Sequence, residues 1–354
     1  MKAGLIGCGG IANVHMGVWT RAKGVEVVGV CDLNIDRAKA VARRFRIKRV
    51  FTSYDDLLDL KPDVVDICTP VSTHADIACS VAKSVPAIFL EKPMAINTTE
   101  CDRMIETMKK FGTKLCVGHN QLFLPSIEKA KLLVDNGDYE LLSFRTSLKE
   151  SFELLKSYGF MADWMVSSAQ RGIIWESGCH LAYLQLHFLG DIKEVYAVGG
   201  KSKFPVYDNF AVLLRTDSSR FGIIELSWLS KETAIVYEIG DAKGKRMEIY
   251  RDFDYLVENS ALPPHTIRGV LSSFAADEKR VLGKWAKFDT NYIKKKKLVP
   301  HTRLISAFIF NIGHDLPPPV SGRDGRNAVH LLECIEKSLD EHKAVPVRLL
   351  KGSQ

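Results

Sequence analysis

Short apolar runs alternate with amphipathic stretches over the first 120 residues of the chain. The short runs are apolar almost throughout, which is typical of parallel strands covered on both faces. The stretches between them carry apolar residues at helical spacing. Parallel strands need crossover connections, so this alternation predicts a doubly wound α/β sheet, a Rossmann domain over residues 1–121. The predicted strands are 3–6, 25–31, 64–68, 87–90 and 114–117, and the predicted helices are 11–23, 36–45, 74–83 and 98–111.

The pattern then changes to strands joined by short turns, which favour antiparallel pairing. We therefore predict an α+β domain over residues 122–354, built on a large, mostly antiparallel open sheet. Residues 254–298 show no clear pattern. The predicted strands are 140–149, 193–201, 209–216, 221–229, 234–240 and 246–250, and the predicted helices are 125–136, 176–188, 303–312 and 325–341.

The length and charge of the chain narrow the class of protein. With 354 residues the chain is longer than one hydrophobic core usually serves, so two domains are expected. The formal net charge of +7 is spread along the sequence, and its densest basic run, at 294–297, is best explained as a solvated loop. An acidic or phosphorylated substrate is the alternative explanation. We expect no nucleic-acid partner.

Cysteine spacing and hydropathy bear on the compartment. The eight cysteines form no CxxC pair and no framework of a small disulfide-rich domain, which indicates a reducing environment. No uncharged apolar run reaches the roughly 18 residues needed to span a bilayer. We expect a cytoplasmic protein without a membrane partner.

A glycine-rich turn follows the first predicted strand and opens the first helix. Its sequence, Gly7-Cys8-Gly9-Gly10-Ile11-Ala12, has the form GxGxxA. In such a turn Gly7 permits the tight bend, Gly9 lets the backbone approach a pyrophosphate, and Ala12 lets the helix pack close to the sheet. The helix N-terminus offers free N–H groups to the phosphates. We predict that residues 7–11 bind a dinucleotide.

An acidic residue ends the second predicted strand. Asp32 stands 23 positions after Gly9, near the offset at which a carboxylate accepts hydrogen bonds from the adenosine ribose hydroxyls. A carboxylate there repels a 2′-phosphate, so NAD is favoured over NADP. Arg37 could approach such a phosphate, which leaves NADP as the alternative. Asp32 could also simply cap the next helix.

Further motifs follow strand ends, where open α/β sheets bind their ligands. Together they resemble those of the glucose-fructose oxidoreductase, inositol dehydrogenase and MocA family of oxidoreductases, over nearly the whole chain. The motifs are His15 after the glycine turn, Thr69-Pro70 with His74, Glu91-Lys92-Pro93, Gly118-His119-Asn120, Glu176-Ser177-Gly178-Cys179-His180, and Pro318-Pro319-Val320-Ser321-Gly322-Arg323-Asp324-Gly325.

The resemblance implies roles for individual residues. Lys92 is expected where nicotinamide and substrate meet, and Asn120 near the nicotinamide end of the cleft. His180 is the implied general base and Lys92 the group that holds the substrate oxygen, chemistry that suits an imidazole titrating near neutral pH and an ammonium group. The residues implied to line the cofactor cleft are Thr69, Pro70, His74, Glu91 and Lys92.

The chain departs from the DxGxHxxD motif of the family. Glu176 replaces the first aspartate and Tyr183 the last. Glu176 and His180 stand at i and i+4, so the carboxylate could orient the imidazole as part of the catalytic group, or the two could form an ordinary helix-surface pair. Tyr183 either binds a substrate hydroxyl or packs.

Two weaker hypotheses concern the same region. Trp164, with Asp163 and Trp175 nearby, could form a stacking wall for a sugar ring, although core packing explains them equally well. Cys179 and His180 are adjacent, but no further Cys/His spacing supports a zinc site, so no metal is predicted.

The function that follows is transfer of a hydride between a nicotinamide cofactor and a ring carbon of a sugar, cyclitol or sugar derivative. The enzyme would be a dehydrogenase or reductase acting on CH–OH groups. The alternatives are a non-catalytic dinucleotide-binding regulator of the same fold and an NAD-dependent glycosidase. Alternating apolar residues in 221–228 predict an apolar outer sheet face, and hence a homodimer or homotetramer.

Overall fold

A computed structural model describes residues 1–157, 161–167, 171–259 and 290–351. The chain begins with a six-stranded parallel sheet in the order β3-β2-β1-β4-β5-β6. Because the strand order reverses between β1 and β4, the carboxyl ends of these two strands flank a crevice of the kind that binds ligands. The elements are β1 (Lys2–Ile6), α1 (Ala12–Trp19), β2 (Glu26–Cys31), α2 (Ile35–Phe45), β3 (Val50–Phe51), α3 (Tyr54–Leu58), β4 (Val64–Ile67), α4 (His74–Val81), β5 (Ala87–Leu90), α5 (Thr98–Phe111) and β6 (Lys114–Val117).

Local sequence explains where these elements lie. All residues of β4 and β5 are buried, as expected of strands covered on both faces. Helix α5 begins where the Asn97 side chain accepts a hydrogen bond from the Glu100 N–H, and it ends at Gly112, whose φ of 70° is left-handed. The parallel α/β prediction is confirmed. The sequence pattern missed β3 and α3, since two strand residues are too few to show a period.

The second part of the chain forms an eight-stranded sheet in the order β13-β12-β11-β7-β10-β9-β8-β14. Its neighbouring strands pair antiparallel except β7 and β10, which are parallel. This confirms the predicted mostly antiparallel sheet. The elements are α6 (Pro125–Asp135), β7 (Leu141–Ser151), α7 (Phe152–Ser157), α8 (Ile173–Glu176), α9 (Gly178–Leu189), β8 (Ile192–Gly200), β9 (Asn209–Thr216), β10 (Phe221–Ser227), β11 (Leu229–Asp241), β12 (Arg246–Tyr250), β13 (Tyr255–Asn259), α10 (Thr290–Gly313), α11 (Gly322–Glu341) and β14 (Val345–Pro346).

One face of this sheet packs on helices α9 and α11, and its strands alternate between buried and more exposed residues. The last helix also returns to the first sheet. A Cβ on Gly325 would lie 2.8 Å from the Val117 side chain and 2.9 Å from the Met94 sulfur, so glycine allows α11 to approach β6 closely. The two sheets therefore share one hydrophobic core, which includes Phe89 and Phe144.

Some predicted bounds differ from the structure. The predicted helix 176–188 is two helices, α8 and α9, and the helix predicted at 303–312 begins earlier, at Thr290. Within the stretch 254–298, which shows no clear sequence pattern, strand β13 and the first turns of α10 are described, and 260–289 lie outside the described residues. The basic run 294–297 lies within α10, so the loop expected there is wrong. Among the described helices, none is both long and apolar enough to cross a membrane.

Candidate active site

The glycine turn has the geometry that the sequence predicts. Gly7 adopts φ +93°, and an added Cβ would lie 2.7 Å from the backbone carbonyl of Cys68, so no other residue fits there without strain. A Cβ on Gly9 or Gly10 would meet nothing within 4 Å. Among the described side chains, none caps the N-terminus of α1. Open space beside the Gly9 and Gly10 backbone, at the positive end of the α1 dipole, fits a pyrophosphate.

Asp32 holds the turn in place. Its Oδ2 accepts a hydrogen bond of 2.7 Å from the Cys8 N–H, and its Oδ1 accepts one of 2.8 Å from the Asn34 N–H. The cap of α2 is Asn34, whose side chain accepts from the N–H groups of Asp36 and Arg37. The helix-capping explanation of Asp32 is therefore wrong, and its carboxylate stands at the mouth of the turn.

His74 lies between two loops of the cleft. The ring is buried, with Nδ1 2.9 Å from the Pro93 carbonyl oxygen and Nε2 2.9 Å from the Thr69 carbonyl oxygen. Burial lowers the pKa of His74. Thr69 is half-buried and Pro70 is exposed at the surface of their loop. The ring nitrogens face carbonyls of both loops and a neutral imidazole donates to one of them, so His74 lies between the two loops, and its expected place in the cofactor cleft stays a prediction.

Glu91 is likewise bonded on both carboxylate oxygens. Oε1 lies 3.0 Å from His15 Nε2, and Oε2 accepts a hydrogen bond of 3.0 Å from the Lys92 N–H. On its other side His15 places Nδ1 2.9 Å from Asp66 Oδ2, which also accepts from the Trp19 indole N–H at 2.7 Å. Glu91 therefore supports the Lys92 backbone from behind the cleft, and its expected contact with the cofactor stays a prediction.

These buried groups carry charge. Burial opposes ionisation of His15, but the neighbouring Asp66 carboxylate raises the pKa of His15 well above its usual value. Burial would raise the pKa of Glu91, but the hydrogen bond and charge of His15 lower it to about 2. The interior thus holds an imidazolium between two carboxylates.

Lys92 points at Glu176 from the other domain. Its Nζ lies 2.8 Å from Glu176 Oε1 and 3.0 Å from the Glu176 carbonyl oxygen. Burial opposes the charge, yet Glu176 and then Glu91 raise the pKa of Lys92, so the ammonium form is the stable one. Within the described ranges no hydrogen bond joins Glu176 to His180. The expectation that Glu176 orients the imidazole is therefore wrong, because the long-range partner takes the carboxylate.

The imidazole of His180 is held by Tyr183. His180 Nδ1 lies 2.7 Å from the Tyr183 hydroxyl oxygen, one turn along α9. Burial, followed by the positive charges of Lys92 and Arg251, lowers the pKa of His180 well below its usual value. A neutral imidazole can act as a general base, and the effect of the Lys92 charge on its pKa shows that the two groups interact electrostatically.

Tyr183 lies inside the protein. It stacks on His119 with 4.2 Å between ring centroids, and its hydroxyl accepts from the Gln121 N–H at 3.1 Å. The hydroxyl also lies 3.4 Å from Asn120 Oδ1. Burial raises the pKa of Tyr183 well above its usual value. These protein partners favour packing, the other role considered for Tyr183, and a contact of its hydroxyl with substrate stays a prediction.

Comparison with known protein families identifies the family to which the chain belongs. Residues 1–119 match the model described as oxidoreductase family, NAD-binding Rossmann fold, and residues 127–251 match the GFO/IDH/MocA C-terminal domain. The chain belongs to the GFO/IDH/MocA family of oxidoreductases. It is therefore a hydride-transfer enzyme of the dehydrogenase type that uses a nicotinamide dinucleotide.

Individual members of the GFO/IDH/MocA family align along the whole chain. A D-apiose dehydrogenase of Paraburkholderia graminis is 24% identical over 357 residues, spanning 99% of this chain and 91% of that protein. A myo-inositol 2-dehydrogenase of Thermotoga maritima is 23% identical, spanning 99% of this chain and 100% of that protein. The WlbA dehydrogenase of Bordetella pertussis, solved with NADH and UDP-GlcNAcA, has the same fold, with a TM-score of 0.80 at 20% identity over 99% of this chain and 98% of its own.

The structure describes only part of the wall that Trp164, Asp163 and Trp175 were expected to form against a sugar ring in this GFO/IDH/MocA site. The Trp164 side chain lies outside the described residues. Trp175 is buried beneath the Arg171 guanidinium, 4.1 Å from its ring centroid, so core packing explains it. Asp163 forms an ion pair of 2.5 Å with Lys156.

Sequence analysis missed several polar groups near His180. Tyr237 donates a hydrogen bond of 2.5 Å to Gln121 Oε1, and His301 lies 3.1 Å from Asn120 Nδ2. Glu150 accepts from Ser177 Oγ at 3.1 Å, and its other carboxylate oxygen lies 4.0 Å from the Arg251 guanidinium. These residues come from distant parts of the chain and share no local motif, so only the fold brings them together.

Proposed function

We propose that the chain transfers a hydride between NAD and a ring carbon of a sugar, cyclitol or sugar derivative, with Lys92 and His180 at the reacting alcohol. The observation that carries this proposal is the pairing of a charged Lys92, fixed by Glu176 at 2.8 Å, with a neutral His180, fixed by Tyr183 at 2.7 Å. The two groups act on each other, since the Lys92 charge lowers the pKa of His180.

Each residue has a definite part in the oxidation. Nicotinamide, when bound, supplies the hydride acceptor. His180 Nε2 takes the hydroxyl proton, and the electron pair of the broken O–H bond forms the carbonyl as the C–H pair leaves as hydride. Lys92 Nζ donates a hydrogen bond to the same oxygen and stabilises its developing negative charge. In the reverse direction His180 returns the proton.

The substrate class is supported by the polar groups around this pair. Glu150 is buried and bonds to Ser177, three residues before His180, and its other carboxylate oxygen lies 4.0 Å from the Arg251 guanidinium, so polar and charged groups surround the start of α9. Two of the relatives reported above are named as dehydrogenases of D-apiose and myo-inositol, and the third was solved with UDP-GlcNAcA bound. A polyhydroxylated ring compound therefore fits better than an apolar alcohol.

The preference for NAD depends on Asp32. Its carboxylate lies beside the glycine turn, where it would repel a 2′-phosphate. The Arg37 side chain is exposed on α2. We propose NAD as the cofactor, with measured Kd values for NAD and NADP as the direct comparison.

We also propose a homodimer or homotetramer assembled through the outer face of the eight-stranded sheet. Tyr196 and Leu213 are register partners on β8 and β9 and are 44% and 51% exposed, and Val198 beside them is 52% exposed. Light scattering at micromolar concentration should show an oligomer, and Leu213→Glu should dissociate it. A monomeric wild type would refute this.

All eight cysteines are free, which supports a reducing, cytoplasmic setting.

The activity is tested with the purified chain, NAD and a panel of sugars and cyclitols, by the absorbance of the reduced nicotinamide near 340 nm. His180→Asn should abolish turnover while NAD binding, measured by calorimetry, is kept. Binding of NAD by the wild type with no turnover on the panel would favour a regulator. Release of an aryl group from glycosides without net NADH would instead indicate a glycosidase.

A further inference from the structure

Among the described residues, the hydroxyl group of Tyr183 has three hydrogen-bonding neighbours and can satisfy all of them in one arrangement. A phenol oxygen accepts up to two hydrogen bonds and donates one. The Gln121 N–H, 3.1 Å away, can only donate. Asn120 presents Oδ1, 3.4 Å away, which can only accept, while its Nδ2 faces His301. His180 Nδ1, 2.7 Å away, can do either.

Only one assignment of protons uses every one of these contacts. The Tyr183 oxygen accepts from the Gln121 N–H and from an Nδ1–H of His180, and its own proton goes to Asn120 Oδ1. The other assignment gives the Tyr183 proton to His180 Nδ1 and leaves the buried Asn120 Oδ1 without this donor. A buried acceptor left without a donor destabilises the folded protein, which favours the first assignment.

The location of the proton decides whether His180 can act as a base. With hydrogen on Nδ1, the lone pair of a neutral imidazole lies on Nε2, the nitrogen that does not face Tyr183. With Tyr183 donating to Nδ1, the hydrogen lies on Nε2, and that nitrogen cannot accept a substrate proton. We infer that Tyr183 is a positioning residue that holds His180 in its Nδ1–H tautomer and so leaves Nε2 free to accept the substrate proton. This inference rests on the proposed function of His180.

A neutral phenol in this position also sets the charge of the site. The charged and titratable groups that act on His180 are Lys92, Arg251, His119 and His301, and Lys92 and Arg251 are permanently cationic near neutral pH. Glu176 is occupied by Lys92, and Tyr183 remains un-ionised. Tyr183 therefore orients the imidazole without adding a negative charge that would favour the imidazolium. The arrangement suits a base that stays neutral.

The tautomer can be observed directly, without a substrate. Full-length protein labelled with ¹⁵N-histidine gives imidazole nitrogen resonances that distinguish a protonated Nδ1 from a protonated Nε2. The His180 resonances are assigned by their loss in His180→Gln. We expect the wild type, with and without NAD, to show the proton on Nδ1. A proton on Nε2 would overturn the inference whether or not any variant folds.

A variant then tests the role of the hydroxyl. Tyr183→Phe keeps the ring that stacks on His119 and removes only the oxygen, so His180 should lose its preference for the Nδ1–H form. In turnover assays kcat should fall about tenfold or more, with KM changed little, since a wrongly protonated base slows the chemical step. The matched control is Tyr139→Phe, which removes a buried hydroxyl that bonds to Glu258 in the second domain.

The outcomes separate this inference from the proposed function. An unchanged His180 tautomer and unchanged kcat in Tyr183→Phe would refute the positioning role while leaving the dehydrogenase assignment intact. An Nδ1–H tautomer in a protein that lacks turnover would support the positioning role and refute the proposed function. A loss in Tyr139→Phe equal to that in Tyr183→Phe would show a general effect on stability, and would overturn the inference.

Discussion

His15 Nε2 lies 3.0 Å from Glu91 Oε1, in the interior directly behind the backbone of Lys92. The same imidazole lies 2.9 Å from Asp66. The attraction between a cation and two buried carboxylates offsets the free-energy cost of removing all three groups from water. This holds only while each of the three is present. The loop that carries Lys92 is therefore fixed by an ion pair whose members are far apart in the sequence.

Replacing His15 with Leu should lower the free energy of unfolding by about 3–5 kcal/mol, because Asp66 and Glu91 would keep buried charges without the imidazolium that pairs with both. Urea denaturation with intact two-state behaviour measures the loss. His314→Leu, at an exposed site near the end of α10, is the control and should change stability by less than about 0.5 kcal/mol. Equal losses in the two variants would contradict the role of His15.

The pKa of Glu91 predicts how stability depends on pH. A carboxyl whose pKa is about 2 in the folded protein, against its usual value of 4.5, contributes stability that is fully present above the higher pKa. That contribution is lost as the pH falls from about 4.5 towards 2. Glu91→Gln should flatten the stability curve in this window, measured by denaturation at successive pH values. An unchanged slope would show that Glu91 titrates normally.

Two glycines of the first turn should respond differently to alanine. Gly7→Ala places a Cβ 2.7 Å from the Cys68 carbonyl at φ +93°, so the protein without ligand should lose about 1–3 kcal/mol. Gly10→Ala meets no protein atom within 4 Å and should retain its stability, but weaken NAD binding by filling the space beside the turn. Thermal unfolding and calorimetry separate the two effects. Equal stability of both variants would refute this distinction.

The sequence was sufficient for the elements that carry a strong local signal. Buried strands such as β5 are apolar at every position, and the GxGxxA turn and the Glu91-Lys92-Pro93 loop follow strand ends, so their meeting at one edge of the sheet could be predicted. Strand β3 has two residues and no period. Such an element is defined by its neighbours in the sheet, which the sequence does not display.

The partners of the site residues were harder to predict than the residues themselves. Spacing suggested that Glu176 orients His180, but the carboxylate bonds to Lys92, which is 84 positions away. His180 instead bonds to Tyr183, for which the sequence had suggested only a substrate hydroxyl or packing. A helix brings several side chains to one face, and the tertiary structure decides which of them is already occupied by a distant charge.

The pH dependence of oxidation should reflect the lowered pKa of His180. The neutral imidazole is the active base, so activity falls only when the pH drops through the pKa of His180, which burial, Lys92 and Arg251 hold below the usual value. We expect kcat/KM to stay level as the pH is lowered through about 6.5, the ordinary histidine value. Arg251→Gln removes one of the cations and should move the acidic limb to higher pH. A limb centred at or above 6.5 in the wild type would contradict this.

Glu176→Gln tests whether the ion pair with Lys92 contributes to the chemistry. The amide can still accept a hydrogen bond, but the ammonium loses the charge that stabilises it at 2.8 Å, so its average position at the substrate oxygen becomes less well defined. We expect kcat to fall about tenfold with a smaller change in KM. Glu153→Gln is the matched control, since its carboxylate pairs with Lys203 at the surface, where both side chains are more than half exposed. Glu176→Asp retains the charge but shortens the side chain, and its kcat should lie between the two. Wild-type kcat in Glu176→Gln would mean that the Glu176 carbonyl oxygen, 3.0 Å from Nζ, is enough to hold Lys92.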